Sequence, residues 1–228
     1  MPSAIPFGYR LVRQGTANLP PACPPSYVAV SGCLCPAAIP ASDAIPLYGT
    51  SFQPEPLAEK WDIPLPTATA LYRFNEAHVE QIDYPSLTYR NLETTRLALS
   101  TFFPGRPDVL LVGLGAVDDA FRRYPGIQDV SPVTPDARLL GFDLYEFGDF
   151  AAEGAPLPPL DFSALSMGFG CPLFCSDPDA EIPARLGITL NARGLYPDAP
   201  SALAAASLVN RARLAEPSRY LPFALFQC

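Results

Sequence analysis

A continuous apolar segment lies near the middle of the chain, at residues 108–115, DVLLVGLG. Its valines and leucines do not alternate with polar residues, and an unbroken run of this kind is typical of a β-strand that is buried on both faces. A second apolar run, RYLPFALF, occupies residues 219–226. It predicts a final buried strand, and Pro222 favours a place at the edge of the sheet because proline has no N–H to donate to a neighbouring strand.

Shorter elements surround these two strands. The spacing of apolar residues predicts helices at residues 87–103 and 199–215, the second with Asp198 as its N-cap, and residues 116–124 suit a short helix. Composition predicts further strands at residues 26–31, 69–74, 138–147 and 185–190. No internal repeat is visible in the sequence. Segregated strands and helices predict the α+β class, with a mixed or antiparallel sheet and few helices.

Proline is unusually frequent, at 29 of 228 residues, against a usual share of ~5 %. Thirteen of these prolines lie in residues 1–68. Because proline fixes φ and lacks a backbone donor, the N-terminal third is predicted to be dominated by loops. The length fits a single domain over residues 1–228, and a subdivision into a proline-rich part, 1–135, and a C-terminal part, 136–228, is the alternative.

The charge balance restricts the kinds of partner. Fifteen Lys and Arg residues face 23 Asp and Glu residues, which gives a net charge of −8 and disfavours nucleic acids and anionic membranes. The uncharged stretch 14–42 contains six prolines, so we predict no membrane span there. No secretory signal is recognised at the N-terminus, so the predicted location is the cytoplasm, where the six cysteines are expected to be reduced.

Two patterns come close to known binding motifs without completing them. Cys33 and Cys35, with Cys171 and Cys175, would supply four thiolates to zinc, but only the second pair has the usual spacing. The segment VLLVGLGAVDDAF has the strand–Gly-x-Gly–helix form of a dinucleotide site, but Asp118 stands where the third glycine belongs, and its carboxylate would repel a phosphate. We therefore expect neither a metal nor a cofactor.

One arrangement offers an acid–base site. If residues 76–80 form a strand, Glu76, His78 and Glu80 share one face and could act as an acid–base pair or bind a metal. Cys171, on a glycine-flanked turn, is the thiol best suited to pair with His78 in a Cys–His enzyme. These four residues are the candidate catalytic site if the protein is an enzyme, but a solvated polar face is the favoured interpretation of residues 76–80.

A group of acidic residues lies in the C-terminal part, interspersed with aromatic residues. An acidic face of this kind can dock a basic protein, since complementary charge speeds encounter and fixes orientation, and aromatic residues anchor such interfaces. An ordinary solvated surface is the alternative. The candidate partner-binding residues are Asp143, Glu146, Asp149, Glu153, Asp161, Asp177, Asp179 and Glu181.

Residues 139–226 resemble the C-terminal half of a group of uncharacterised bacterial proteins. The resemblance rests on Leu140-Gly141-Phe142-Asp143, Ser163-Ala164-Leu165, Leu190-Asn191-Ala192-Arg193-Gly194-Leu195 and Glu216-Pro217. Some of these proteins are similar to immunity proteins, which bind and neutralise a cognate toxin in the producing cell. The resemblance implies a non-catalytic cytoplasmic protein that binds a basic toxin. A small enzyme, or a structural component of a larger, phage-like assembly, is the alternative.

Overall fold

The computed structural model describes residues 4–13, 54–83, 88–117, 121–122, 129–149, 165–169, 178–212 and 218–228. Its strands are β1 (Ile5–Arg13), β2 (Ile82–Asp83), β3 (Thr88–Tyr89), β4 (Val109–Ala116), β5 (Arg138–Asp149), β6 (Leu165–Phe169) and β7 (Ser218–Gln227). Its helices are α1 (Pro54–Trp61), α2 (Leu65–Ala77), α3 (Leu92–Phe102), α4 (Pro178–Arg185) and α5 (Ala199–Ala212), and a single 3-10 turn covers Val79–Gln81.

The seven strands form one sheet in the order β2-β3-β1-β4-β7-β5-β6. Every pair of neighbouring strands is antiparallel. The predicted α+β class is therefore confirmed, and the sheet is antiparallel rather than mixed. Helices α1 and α2 lie at the end of the proline-rich N-terminal region, and their prolines fall in or next to the first helical turn, where proline is tolerated.

The helices pack in two groups on the same face of the sheet. Side chains of α1, α2 and α3 share a core cluster with Leu111 of β4, and side chains of α4 and α5 share another with Phe226 of β7. Phe226 lies opposite Gly113, two residues from Leu111 along β4. Residues that lie opposite each other, or two apart on one strand, point to the same face. Both helical groups therefore cover this face.

The other face of the sheet carries a separate buried cluster. Its centre is aromatic: the ring centroids of Phe7 and Phe223 lie 4.8 Å apart and those of Phe121 and Phe223 5.0 Å apart, both edge to face. The remaining members are aliphatic residues, mostly from the central strands β1, β4 and β7: Ile5, Val12, Leu110, Val112, Leu114, Ala116, Leu140, Leu195, Leu221 and Leu225. The central strands are thus buried on both faces, which explains their continuous apolar sequences.

Most long elements lie where the sequence predicts them. The strands predicted at 108–115, 138–147 and 219–226 are β4, β5 and β7, and the helices predicted at 87–103 and 199–215 are α3 and α5. Asp198 caps α5 as expected, since its carboxylate accepts a hydrogen bond from the Ser201 N–H at 2.8 Å. The predicted strand at 26–31 and most of the predicted helix at 116–124 lie outside the described residues.

Two predicted strands are wrong. Residues 69–74 belong to α2, whose buried residues Ala68, Leu71 and Asn75 recur at helical spacing. The aromatic content of this segment favoured a strand, but the burial of its side chains follows the helical period. Residues 185–190 begin with the last residue of α4, and Ile188 N–H then donates to the Pro183 carbonyl at 2.8 Å, which closes a turn after the helix.

The predicted edge position of the last strand is also wrong, because β7 lies between β4 and β5. Pro222 is accommodated because β4 pairs with β7 only as far as Ala116 and Phe223. In a strand, the N and C=O of one residue point to the same neighbour, and the Pro222 carbonyl accepts a hydrogen bond from Val117 N–H at 3.3 Å, on the β4 side. The nitrogen of Pro222, which has no N–H to donate, therefore also points to the β4 side, at the place where the pairing of β7 with β4 ends.

Candidate functional site

The structure does not place Glu76, His78 and Glu80 on one face of a strand. Glu76 is in the last turn of α2, His78 is its C-cap, and Glu80 is in the following 3-10 turn. The His78 ring stacks on Phe74, with centroids 4.1 Å apart, and its Nδ1 lies 2.8 Å from the Phe74 carbonyl oxygen. These contacts give His78 a structural role at the helix end. Cys171 lies outside the described residues, so its pairing with His78 stays a prediction.

Asp143 does not belong to an acidic docking face, because its side chain is only 2 % exposed. It lies on β5 opposite Phe223, on the face that carries the aromatic cluster. Its Oδ1 accepts a hydrogen bond from the Leu144 N–H at 2.8 Å. A side chain that is buried in this way cannot contact a partner in the folded protein, so the assignment of Asp143 to partner binding is wrong.

The other seven acidic candidates are only partly placed. The structure describes the backbone of Glu146 and Asp149 in β5, and of Asp179 and Glu181 in α4, but not their side chains. The remaining three lie outside the described residues: Glu153, Asp161 and Asp177. Their predicted role in docking therefore stays a prediction.

A second acidic region lies on the N-terminal helices, where sequence reasoning did not look for a docking face. Glu55 and Glu59 of α1 are exposed, while Leu57 and Trp61 of the same helix are buried. The period of the helix places Glu55 and Glu59 on the side opposite Leu57 and Trp61, away from the sheet. A helical assignment of residues 54–61 would have revealed this arrangement from the sequence.

Glu76, at the far end of α2, and Glu80, in the following 3-10 turn, are also exposed. We call these two residues, together with Glu55 and Glu59, the acidic helical surface. No ion pair forms at any of the four among the described side chains. By contrast, three nearby acids are paired with arginines: Asp83 with Arg90, Glu93 with Arg96 and Asp108 with Arg106, at 3.2, 2.9 and 2.7 Å.

Exposed apolar side chains accompany the acidic helical surface. Leu65, the first residue of α2, is 44 % exposed, and Val79, between His78 and Glu80, is 37 % exposed. Apolar side chains surrounded by charged residues are typical of the centre of a protein-binding surface. α1 also carries Lys60, and Arg73 is exposed on α2, so the charges here are mixed, with the four glutamates against two basic residues.

The described residues show little that would support nucleophilic or metal chemistry. Burial raises the pKa of the Cys228 thiol, despite a hydrogen bond with the Gly113 backbone that acts in the opposite direction. Since the thiolate is the reactive form, this environment lowers the reactivity of the thiol. Within the described ranges, no three His, Cys, Asp or Glu side chains are grouped as a metal site requires.

Buried tyrosines near this thiol are structural. The Tyr9 hydroxyl lies 2.9 Å from the Ser131 carbonyl oxygen and 2.8 Å from that of Pro132, which fixes the segment before β5 against β1. The Tyr89 hydroxyl donates to Asn75 Oδ1 at 2.7 Å and joins β3 to α2. Burial raises the pKa of both tyrosines, so both remain neutral hydrogen-bond donors at physiological pH.

In the part of the chain that the structure describes, no helix has the length and apolar character to cross a bilayer. Comparisons with known proteins identify no relative of this chain. No protein-family model matches it, and neither a curated protein nor a solved structure is significantly similar to it.

Proposed function

We propose that this protein is a non-catalytic cytoplasmic binding protein that docks a basic protein through the acidic helical surface, as an immunity protein docks a basic toxin. The observation that supports the proposal most is the set of four exposed glutamates on α1, α2 and the following turn, which form no ion pair among the described side chains. An excess of unpaired negative charge attracts a basic partner and orients it during encounter.

Two further observations agree with this proposal. Leu65 at the start of α2 and Val79 next to Glu80 in the chain are exposed apolar residues, and the net charge of the whole chain is −8. Exposed charge pairs contribute roughly 0.5 kcal/mol each, so neutralising four glutamates weakens binding by about 2 kcal/mol, or about thirtyfold in Kd. The apolar contacts would then account for the affinity that is retained at high salt.

The experiment is affinity capture from a lysate of the native host, with partners identified by mass spectrometry at low and high salt. The test variant carries Glu55→Gln, Glu59→Gln, Glu76→Gln and Glu80→Gln. The matched control also loses four negative charges, but in the C-terminal part: Glu146→Gln, Asp149→Asn, Asp179→Asn and Glu181→Gln.

The proposal predicts one dominant basic protein that is captured by the wild type and by the control, and is reduced with the test variant and at high salt. Loss of the partner with the control variant alone would place docking in the C-terminal part instead. Capture that is insensitive to both variants and to salt would exclude an electrostatic docking surface. Circular dichroism of both variants verifies that they are folded.

A further inference from the structure

We infer that the chain consists of two copies of one folding unit, joined edge to edge. The strands β4 and β7 form the junction, and the edge that each unit presents there fits a second copy of the same unit. The first unit comprises residues 5–116 and the second comprises residues 138–227. Four independent structural features of the first unit recur in the second, in the same chain order and in the same spatial relation.

The first recurring feature is a bulged strand at the start of each unit. The pairing of β1 with β4 shifts register between Pro6 and Gly8, and the pairing of β5 with β7 shifts between Leu139 and Gly141. Both bulges contain a glycine with positive φ, +153° at Gly8 and +148° at Gly141. Two antiparallel strands thus carry the same irregularity at the same distance from their start.

The second feature is a tyrosine that pairs with the residue after this glycine. Tyr89 lies opposite Tyr9 in the first unit, and Tyr196 lies opposite Phe142 in the second. The residue before each tyrosine covers the bulge glycine. A Cβ at Gly8 would lie 2.6 Å from Thr88 Cβ, and one at Gly141 would lie 2.7 Å from Leu195 Cβ. The equivalent residues Thr88 and Leu195 thus make the same contact.

The third feature is a capped helix two residues after each tyrosine. Asn91 caps α3 and Asp198 caps α5, and each accepts a hydrogen bond from the backbone N–H three residues later. The buried positions of the two helices also match. Fully buried Thr95 and Ala98 of α3 correspond to fully buried Ala202 and Ala205 of α5, at the same distances from their N-caps.

The fourth feature is the returning strand. In the first unit β4 pairs with β1, with Gly113 opposite Tyr9, and in the second β7 pairs with β5, with Ala224 opposite Phe142. This alignment makes Leu114 equivalent to Leu225. These two residues also lie opposite each other where the units meet.

The junction is therefore symmetric. Because Leu114 pairs with its own equivalent, an axis perpendicular to the sheet at this pair exchanges the two units. The flanking pairs obey the same rule: Val112 lies opposite Gln227, and Ala116 lies opposite Phe223, the equivalent of Val112. An interface in which residue i contacts j and j contacts i is that of a two-fold dimer. Such an axis also places both helical groups on one face of the sheet, as observed.

The inference is tested by circular permutation of the full chain, since two units related by a two-fold axis can follow each other in either order. Twenty-one residues separate Ala116 from Arg138, and the symmetry requires the same span from Gln227 to Ile5. A linker of 16 flexible residues between Cys228 and Met1 provides it. The test permutant opens the chain between the units, at residues 125–126.

A control permutant with the same linker opens the chain within the first unit, at residues 104–105, where Pro104 and Gly105 are exposed. We expect the urea midpoint of the test permutant to lie within about 10 % of the wild-type midpoint, and that of the control permutant to be lower by at least about a third. The m-value is compared in each case. The inference would be overturned if the test permutant had the same urea midpoint as the control permutant, or a lower one.

An experimental structure of the wild-type chain provides a readout that does not depend on how the permutants fold. The four matched pairs of segments should superpose by a single rotation within about 10° of 180°, without a significant translation along the axis, as a closed two-fold relation requires. These pairs are β1 with β5, residues 88–89 with 195–196, α3 with α5, and β4 with β7. A rotation far from 180°, or a register in which Leu114 does not lie opposite Leu225, would overturn the inference.

Discussion

A side chain at Gly8 is predicted to destabilise the protein strongly. The Cβ of Gly8→Ala would collide with Thr88 Oγ1 and would lie 2.6 Å from Thr88 Cβ. Thr88 cannot move away freely, because it is fully buried in β3. Overpacking of this kind costs roughly 1–3 kcal/mol, and a non-glycine residue at this φ adds roughly 1–3 kcal/mol of backbone strain. We expect a total loss of about 2–6 kcal/mol.

Gly141 is predicted to behave in the same way. A Cβ there would lie 2.7 Å from Leu195 Cβ and 2.8 Å from Asn191 Nδ2. Gly105 provides the matched control, because its φ is +71° and a Cβ would meet nothing within 4 Å. Gly105→Ala therefore has the backbone strain without the collision, and about 1 kcal/mol is expected for it.

The assay is urea unfolding followed by tryptophan fluorescence. Trp61 is the single tryptophan of the chain, and it is 3 % exposed and packed against Phe103, so its emission reports on the helical layer. With a total stability of roughly 10 kcal/mol, the Gly8→Ala midpoint should fall by about a fifth to three-fifths at unchanged m-value.

A companion substitution isolates the collision at Gly8. Thr88→Gly removes the two nearest atoms that the new Cβ would meet and leaves only the Tyr89 carbonyl oxygen at 3.2 Å. It should therefore restore part of the stability lost in Gly8→Ala, whereas it should not rescue Gly141→Ala. The reasoning is refuted if Gly8→Ala costs no more than Gly105→Ala, or if Thr88→Gly rescues both variants equally.

Three other predictions follow from the described contacts. Asn91→Ala should lower the free energy of unfolding in urea by about 1 kcal/mol, because Asn91 Oδ1 accepts hydrogen bonds from two backbone N–H groups of α3. Asn91→Asp should preserve most of the stability, and equal losses in the two variants would contradict the capping role. Because burial raises the pKa of Tyr89 and Tyr9 in the folded state, their contribution is intact below the unfolded pKa near 10 and is lost as the pH rises above it, which thermal unfolding from pH 8 to 11 should show. Tyr89→Phe, which removes the hydrogen bond to Asn75 Oδ1, should lower the melting temperature at pH 8 but flatten the alkaline decline. Burial also raises the pKa of the Cys228 thiol, so iodoacetamide should modify the Cys228 peptide more slowly in the native protein than in urea at pH 8, as peptide mapping would show; equal rates would mean that the thiol is not shielded.

The sequence predicts the long, strongly apolar elements best. The strands β4, β5 and β7 and the helices α3 and α5 are identified correctly because each buries a large apolar surface, and burial fixes the pattern of their side chains. The composition of residues 69–74 predicts a strand, although the spacing of the buried residues Ala68, Leu71 and Asn75 is helical. The position of β7 in the sheet depends on its partners β4 and β5, which its own sequence does not specify.

The internal symmetry is not apparent from the sequence, because the two units conserve conformation rather than residue type. The bulge glycines are shared, but Arg10 of the first unit corresponds to Asp143 of the second, two buried residues of opposite charge. The segments between the matched elements also differ in length: 78 residues separate Tyr9 from Thr88, and 52 separate Phe142 from Leu195. Pairing registers reveal the repeat because they depend on backbone geometry alone.

The candidate site shows a similar limit. The four residues of the acidic helical surface are ordinary glutamates in the sequence, and only the helical period of α1 and the helix end at His78 show that they are exposed. Asp143 shows the converse, because its neighbours in the sequence suggested an exposed acid and its place in the central sheet buries it. Exposure therefore depended on tertiary structure in both cases.

The central claim, that the acidic helical surface binds a basic protein, is tested most directly by the salt dependence of the affinity. The Kd for the captured partner would be measured by isothermal titration calorimetry at 50 and 300 mM NaCl. Over this range the Debye length, which sets the reach of exposed charges, falls by about 2.4-fold. The account predicts that the wild type loses affinity as salt rises, and that the variant with Glu55, Glu59, Glu76 and Glu80 changed to Gln binds about thirtyfold more weakly at low salt, with little further dependence on salt. Equal affinities and equal salt dependence for the two proteins would contradict it.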